Sequence, residues 1–230
     1  MNTLSTTKRY QLKFEPVPDD IDYFDLPQVS NSDLSRLQEE IGVTDHILVD
    51  KDKAYAFGSL VDAVVTEEDK INVFTRQFDG NFMNEEDFEC SLKMRESFFR
   101  DPECRMIHRA STFQKVMIRN VPFGSGGMPF ILPMRCKFDF WMDLIWMGAD
   151  LKSTAAETQE QFEAACLHFN YDRQRAFYMT VAGSDKDMLI GVSKKNFKVF
   201  KKRIFRGDEF FLSGMHKLNE LAFKYNLLYG

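Results

Sequence analysis

The stretch KFDFWMDLIWMGADLKST, residues 137–154, decides how the chain is read. It begins inside FILPMRCKFDFWM (130–142), which alternates apolar and polar residues with the period of a strand. LIWMGADLKST (144–154) reads as a second strand, with a tight turn near Asp143. Residues i and i+2 of a strand project from one face, so Asp150 and Lys152 point the same way. Pairing through the short turn brings Asp139 beside Asp150. Two carboxylates and an ammonium then converge on a largely apolar sheet. Carboxylates held together out of water repel each other unless a cation sits between them. A hard divalent ion such as Mg2+ suits oxygen donors of this kind. Asp143 competes for the role of first acid; Asp139 is preferred because it lies inside the alternating strand. A bare Asp-x-Lys triplet also fits a plain strand-edge ion pair between Asp150 and Lys152.

Working outward, TFQKVMIRNV (112–121) alternates and is β-rich, and PFGSGGMP reads as a glycine-rich hairpin turn. These strands make an antiparallel three-stranded meander. After it, ETQEQFEAACLHF and YDRQRAFYMTVAG read as helices, DMLIGVSKK and NFKVFKKRI as strands, and GDEFFLSGMHKLNELAFKYNLL as a closing helix. Upstream, VSNSDLSRLQEEIG reads as a helix capped by Ser30 or Ser32 and ended at Gly42. AYAFGSLVDAVV (54–65) is apolar almost all round and predicts a buried helix carrying one acid, Asp62. EEDFECSLKMRESFFR (85–100) predicts an amphipathic helix with an acidic first turn. The expected architecture is a mixed α/β fold with helices flanking a central mixed sheet. One domain is expected across 1–230, with a mainly helical part to residue 104, a core over 105–206 and a final helix over 207–230.

The 230 residues are 44% hydrophobic and 28% charged, which fits a globular protein and excludes wholesale disorder. Phe, at 23 copies, predicts an aromatic core. No apolar run approaches the roughly 18 residues a membrane span needs. No signal-peptide pattern opens the chain, and a cytoplasmic, non-membrane protein is expected. The four cysteines form no CxxC, so neither zinc nor an iron–sulfur cluster is expected. A net charge of -5 argues against a nucleic-acid partner. Its distribution argues the other way. Residues 1–104 carry 11 basic and 23 acidic side chains, whereas 105–206 carry 17 and 9. The basic part ends in a dense run, Lys194, Lys195, Lys198, Lys201, Lys202, Arg203 and Arg206.

In the helix YDRQRAFYM, Gln174 and Tyr178 are four residues apart and share a face. The series Asp139…Asp150-Leu151-Lys152…Gln174-x-x-x-Tyr178 resembles the signature of the PD-(D/E)XK nuclease superfamily. More narrowly, it resembles the exodeoxyribonuclease VIII (RecE)-like branch of phages and prophages, through DLKST, through Tyr171, Gln174, Ala176, Phe177 and Tyr178, and through VSNSDLSRL and FGSLVDAVV upstream. The likeness runs from about Val29 to Tyr178. It implies a restriction-endonuclease-like core and a Mg2+-dependent (or Mn2+-dependent) exonuclease acting on linear duplex DNA in phage-type recombination. It implies metal ligation by Asp62, Asp139, Asp150 and the Leu151 carbonyl. Lys152 would position the attacking water, Gln174 and Tyr178 would support Lys152 or touch DNA, and Ser153 and Thr154 would back them. Arg173, Arg175, Lys194, Lys195, Lys198, Lys201 and Lys202 are candidate DNA contacts. A single-strand annealing protein and a homo-oligomer are implied partners. One departure is chemical: the branch carries His where this chain has Asp62. That departure motivates an alternative, a non-catalytic DNA- or protein-binding prophage protein of the same fold.

Overall fold

A computed structural model describes residues 14–18, 21–42, 51–125 and 128–230. Helix α1 (Asn31–Glu40) starts at Ser30, whose hydroxyl accepts the Asp33 N–H while the Asp33 carboxylate accepts the Ser30 N–H. Gly42 follows it with a left-handed φ of 70°. In α2 (Lys51–Thr66), Leu60, Val61, Val64 and Val65 are buried, but Tyr55 is 69% exposed. The expectation of a helix buried all round therefore holds only for its second half. The first turns carry Ala54 and Ala56, which bring little apolar area to bury. A small antiparallel sheet follows, β1 (Ile71–Asn72), β2 (Gln77–Phe78) and β3 (Asn81–Phe82). Helix α3 (Glu85–Arg100) buries Phe88, Ser91, Met94 and Phe98 along one stripe, as its periodicity predicts. Helix α4 (Pro102–Ala110) begins at once, with the Asp101 carboxylate accepting the N–H groups of Glu103 and Cys104. Asp101 both ends α3 and caps α4, so the break between them is a single residue.

The central sheet has the order β4 (Thr112–Ser125), β5 (Met128–Met142), β6 (Met147–Thr154), β7 (Lys186–Ser193) and β8 (Val199–Phe205). Strands β4, β5 and β6 form the expected antiparallel meander; β6 and β7 are parallel, and β7 and β8 antiparallel. Gly126 and Gly127, the centre of the expected glycine turn, lie outside the described residues. The crossover from β6 to β7 is α5 (Gln159–His168) and α6 (Tyr171–Ala182), as parallel pairing requires. Helix α7 (Glu209–Tyr229) closes the chain. Residues 143–145 form a short 3-10 turn and Trp146 has a φ of 51°, so β6 begins at Met147 rather than at 144. This is the mixed α/β sheet flanked by helices that the sequence pattern predicts. Among the described residues no helix is long and apolar enough to cross a membrane.

Both sheet faces are covered. Helices α2, α3 and α4 pack with Phe140, Met142, Ala149, Leu151 and Ile190. Helices α6 and α7 pack with Met134, Cys136, Phe138 and Trp141. Phe138 and Phe140 are two residues apart yet belong to opposite faces. The alternation of β5 therefore inverts at Asp139, which lies between them. On the second face α7 approaches α6 closely: a Cβ on Gly214 would stand 2.1 Å from the Asp172 carbonyl oxygen. Only glycine permits that spacing.

Candidate active site

Strands β5 and β6 separate at the acidic centre. Their ladder pairs Met142 with Met147, Trp141 with Gly148 and Phe140 with Ala149, and ends there. Just beyond, Asp139 Oδ2 accepts the Leu151 N–H at 2.8 Å. A carboxylate thus takes the place of a strand carbonyl and satisfies an amide the fork would otherwise strand. Strand β6 continues in register with β7, Asp150 opposite Leu189 and Lys152 opposite Gly191. Asp150 and Lys152 share a face, as alternation requires. Lys152 Nζ lies 2.5 Å from Asp150 Oδ2, and Arg175 Nη1 of α6 lies 3.3 Å from Asp150 Oδ1. The Lys152 ammonium also sits 4.9 Å from the centre of the Tyr171 ring.

Asp62 reaches the centre from α2. Thr66 Oγ1 donates to its Oδ1 at 3.1 Å, and Gln114 Nε2 donates to its Oδ2 at 2.9 Å. The β4–β5 register skips Gln114 and Asp139, which lie between the registered pairs Phe113–Phe140 and Lys115–Phe138. The Gln114 backbone is left-handed, with φ 51°, in the middle of a strand. A non-glycine residue in that region is strained, and such strain gathers at functional sites.

The carboxylates respond to one another. Burial and the neighbouring charges of Asp62 and Asp150 hold the Asp139 carboxyl well above the ordinary carboxylate range. Burial, aided by Asp150, raises Asp62 to about 6 despite its two hydrogen bonds. Asp150 goes the other way: burial opposes its ionisation, but Arg175 and Lys152 outweigh it and hold its pKa below the usual value. For Lys152, burial disfavours the cation, and Asp150, Tyr171 and Asp139 more than restore it. These neighbours favour the ammonium form of Lys152, which is suited to orienting water or meeting phosphate charge.

The Asp62, Asp139 and Asp150 carboxylates and the Leu151 carbonyl are hard oxygen donors, the right chemistry for Mg2+. Their arrangement does not make the expected cage. Among the described residues no three Asp, Glu, His or Cys side chains converge closely enough to hold a metal ion. Both Asp150 oxygens face internal cations, and Asp62 is tied to Gln114 and Thr66.

Of the other expected site residues, Gln174 has a buried Oε1 with no hydrogen-bond partner. Tyr178 packs its ring against Phe138, with centroids 5.0 Å apart, and under the Arg175 guanidinium at 4.1 Å. The aromatic ring beside Lys152 is Tyr171, not Tyr178. Arg173 and Arg175 do not match the expectation of DNA contacts. Arg173 is 3% exposed and donates to Asn31 Oδ1, Ser35 Oγ and Gln38 Oε1 on α1. Arg175 is 0% exposed, bridging Asp150 and Asp187. Helix α6 is packed on both sides, so its arginines turn inward.

The basic run divides similarly. Lys201 pairs with Asp101 at 2.7 Å and Glu103 at 3.1 Å, and Lys202 with Glu163 at 3.6 Å. Alternation along β8 sends the two to opposite faces, so they do not form one strip. Lys194, Lys195 and Lys198 are exposed at the β7–β8 turn. The Lys194 N–H donates to the Thr154 carbonyl at 2.8 Å, which sets this turn against the end of β6, two residues past Lys152. Sequence reasoning missed Gln114, whose signal is conformational, and Asp187, whose role depends on the parallel β6–β7 register.

No protein-family model and no curated protein matches the chain. Among solved structures, it is similar to a phage-related exonuclease from Haemophilus somnus 129PT, with 13% identity over 86% of this chain and 92% of that one and a TM-score of 0.40. An alkaline exonuclease from Laribacter hongkongensis matches at 11% identity over 87% and 88% of the two chains, TM-score 0.39. At 10% identity and TM-score 0.35, its complex with dAMP also matches, over 87% of this chain and 88% of that one.

Proposed function

We propose that the chain is a nuclease that hydrolyses phosphodiester bonds of linear duplex DNA in the presence of Mg2+ or Mn2+. One observation carries the reading: where β5 and β6 fork, Asp139 holds the Leu151 amide while Asp150 and Lys152 meet at 2.5 Å. Two carboxylates and the Lys152 side chain near the open end of a strand pair support that reading. Lys152 offers the charge that a scissile phosphate or its attacking water needs. The exposed Lys194, Lys195 and Lys198 stand at the same end of β6 and offer a contact for the DNA backbone.

The test is digestion of linear and covalently closed circular duplex, with and without Mg2+ or Mn2+, beside Lys152→Ala. Loss of linear DNA alone, only with metal and wild-type protein, is the expected result. Linear duplex left intact across both metal titrations would overturn the proposal. A second reading, a non-catalytic DNA-binding protein of this fold, draws support from Asp150, whose oxygens both face internal cations. It predicts salt-sensitive binding with no release of nucleotides.

A further inference from the structure

Helices α5 and α6 are joined by two residues, Phe169 and Asn170. Three consecutive side chains face water at this junction: Leu167 is 49% exposed, Phe169 is 58% exposed, and His168 between them is exposed as well. Scattered exposed apolar residues are ordinary. These differ first in being rigidly held. The Phe169 N–H donates to the Ala165 carbonyl at 2.9 Å, and the Asn170 N–H to the Leu167 carbonyl at 3.2 Å. Asn170 takes a left-handed φ of 55°, which Asn tolerates, and so turns the chain from one helix into the next. Lys217 of α7 donates to Asn170 Oδ1 at 2.9 Å and to Asp172 Oδ1 at 3.0 Å, which pins the turn to α7. An aromatic ring displayed on so fixed a backbone is preorganised for a flat partner.

The second difference is a connection to the site. The Phe169 ring meets His168 at 4.8 Å, nearly edge-on at 78°, and Tyr171 at 5.9 Å, inclined by 33°. Tyr171 in turn has Lys152 Nζ 4.9 Å from its ring centre. Three rings thus run from the Asp150–Lys152 centre to the surface. Along this path the chemistry changes from charge, which suits a phosphate, to an exposed π-face, which suits a base. Bases inside a duplex stack on one another, so only an unpaired nucleotide has a face to offer.

Resting on the nuclease reading, we propose that Phe169, with His168 beside it, is a stacking platform for the base of an unpaired nucleotide in the strand whose phosphate meets Lys152. The substrate class is DNA with a single-stranded tail or a frayed terminus. Such a platform accepts any sequence, because every base has a π-face.

The experiment is an anisotropy titration of the full chain, in EDTA, with a labelled single-stranded oligonucleotide, a duplex bearing that strand as a tail, and a blunt duplex. It compares wild type with Phe169→Ala, Phe169→Leu and Phe169→Trp. Phe169→Ala and Phe169→Leu are expected to weaken binding of the single strand and the tailed duplex about tenfold and to leave the blunt duplex at wild-type affinity. The slope of log affinity against log salt stays the same, because no phosphate contact is lost. Phe169→Trp keeps the affinity, and the emission of its added indole is quenched by the single strand. Phe169→Leu keeps an apolar side chain at the junction and provides the reading if Phe169→Ala does not fold. Single-strand affinity unchanged in the folded variants, or an equal loss for the blunt duplex, would overturn the proposal. So would a wild-type dimer in sedimentation that Phe169→Ala returns to monomer, since the junction would then be a contact between copies of the chain. Digestion of linear duplex by wild type in Mg2+ or Mn2+ is scored apart. Digestion without a Phe169 effect removes the platform and leaves the nuclease reading standing; a Phe169 effect without digestion keeps the platform and removes that reading.

Discussion

Gln114 Nε2 donates to Asp62 Oδ2 at 2.9 Å from a strand position whose backbone is left-handed. The bond joins β4 to α2. The same amide lies 3.1 Å from Thr66 Oγ1, so one side chain ties two α2 residues to the sheet. Backbone strain at Gln114 is held by this tether and by the paired residues on either side.

Substitution at Gln114 separates the two effects. Gln114→Ala loses the hydrogen bonds and keeps the strained φ, and is expected to cost about 1–2 kcal/mol. Gln114→Gly loses the same bonds but relaxes the backbone, and should recover roughly half of that loss. Chemical denaturation of the two variants checks the order. A Gly variant less stable than the Ala variant would show that φ at this position carries no strain.

Asp62 gives the stability a pH dependence of defined sign. Its folded pKa of about 6 lies above the ordinary carboxylate value, so the folded state binds the proton more tightly than the unfolded chain. Its contribution is full below about pH 4 and is lost as pH rises through 6. Asp62→Asn removes this loss. In metal-free buffer the variant is expected to melt a few degrees above wild type at pH 8, corresponding to at most about 3 kcal/mol, with the gap closing toward pH 4. Melting curves across that range decide it; a gap that widens toward acid would show that Asp62 is stabilised by its charge instead.

Asp150 and Lys152 are expected to be equal in activity and unequal in stability. Asp150→Ala leaves the buried Arg175 with Asp187 alone and brings it against an unpaired Lys152, a loss of about 3–5 kcal/mol. Lys152→Ala leaves Asp150 paired with Arg175 and should cost about 1–2 kcal/mol. Both are expected to abolish release of acid-soluble nucleotides. Urea melts that show equal destabilisation would mean Arg175 does not depend on Asp150 for its charge.

Much of this centre was legible because strand periodicity is rigid. Alternation in 137–154 was enough to put Asp150 and Lys152 on one face, and the tight turn at Asp143 was enough to bring Asp139 near them. The same rule hid the inversion between Phe138 and Phe140, since a local twist in two paired strands leaves no trace in residue type. Arg175 looked like a surface contact because arginine in a helix is usually exposed. Its burial follows from α6 packing between the sheet and α7, a tertiary fact anchored by Gly214. Helix α4 was obscured because Asp101 ends one helix and caps the next.

The division of the basic residues yields a prediction about DNA. If the exposed turn contacts the backbone, replacing Lys194, Lys195 and Lys198 together with Gln removes up to about three phosphate contacts and flattens the slope of log affinity against log salt by about that number. Lys201→Gln should leave the slope unchanged, because Lys201 is held by Asp101 and Glu103. Arg173→Gln should also leave it unchanged while lowering the melting temperature, because three bonds to α1 are lost. Anisotropy titrations of a labelled duplex between about 50 and 200 mM salt measure the slopes. A slope that falls on loss of Arg173 but not of the three lysines would move the DNA path from the β7–β8 turn to the α1–α6 side of the molecule.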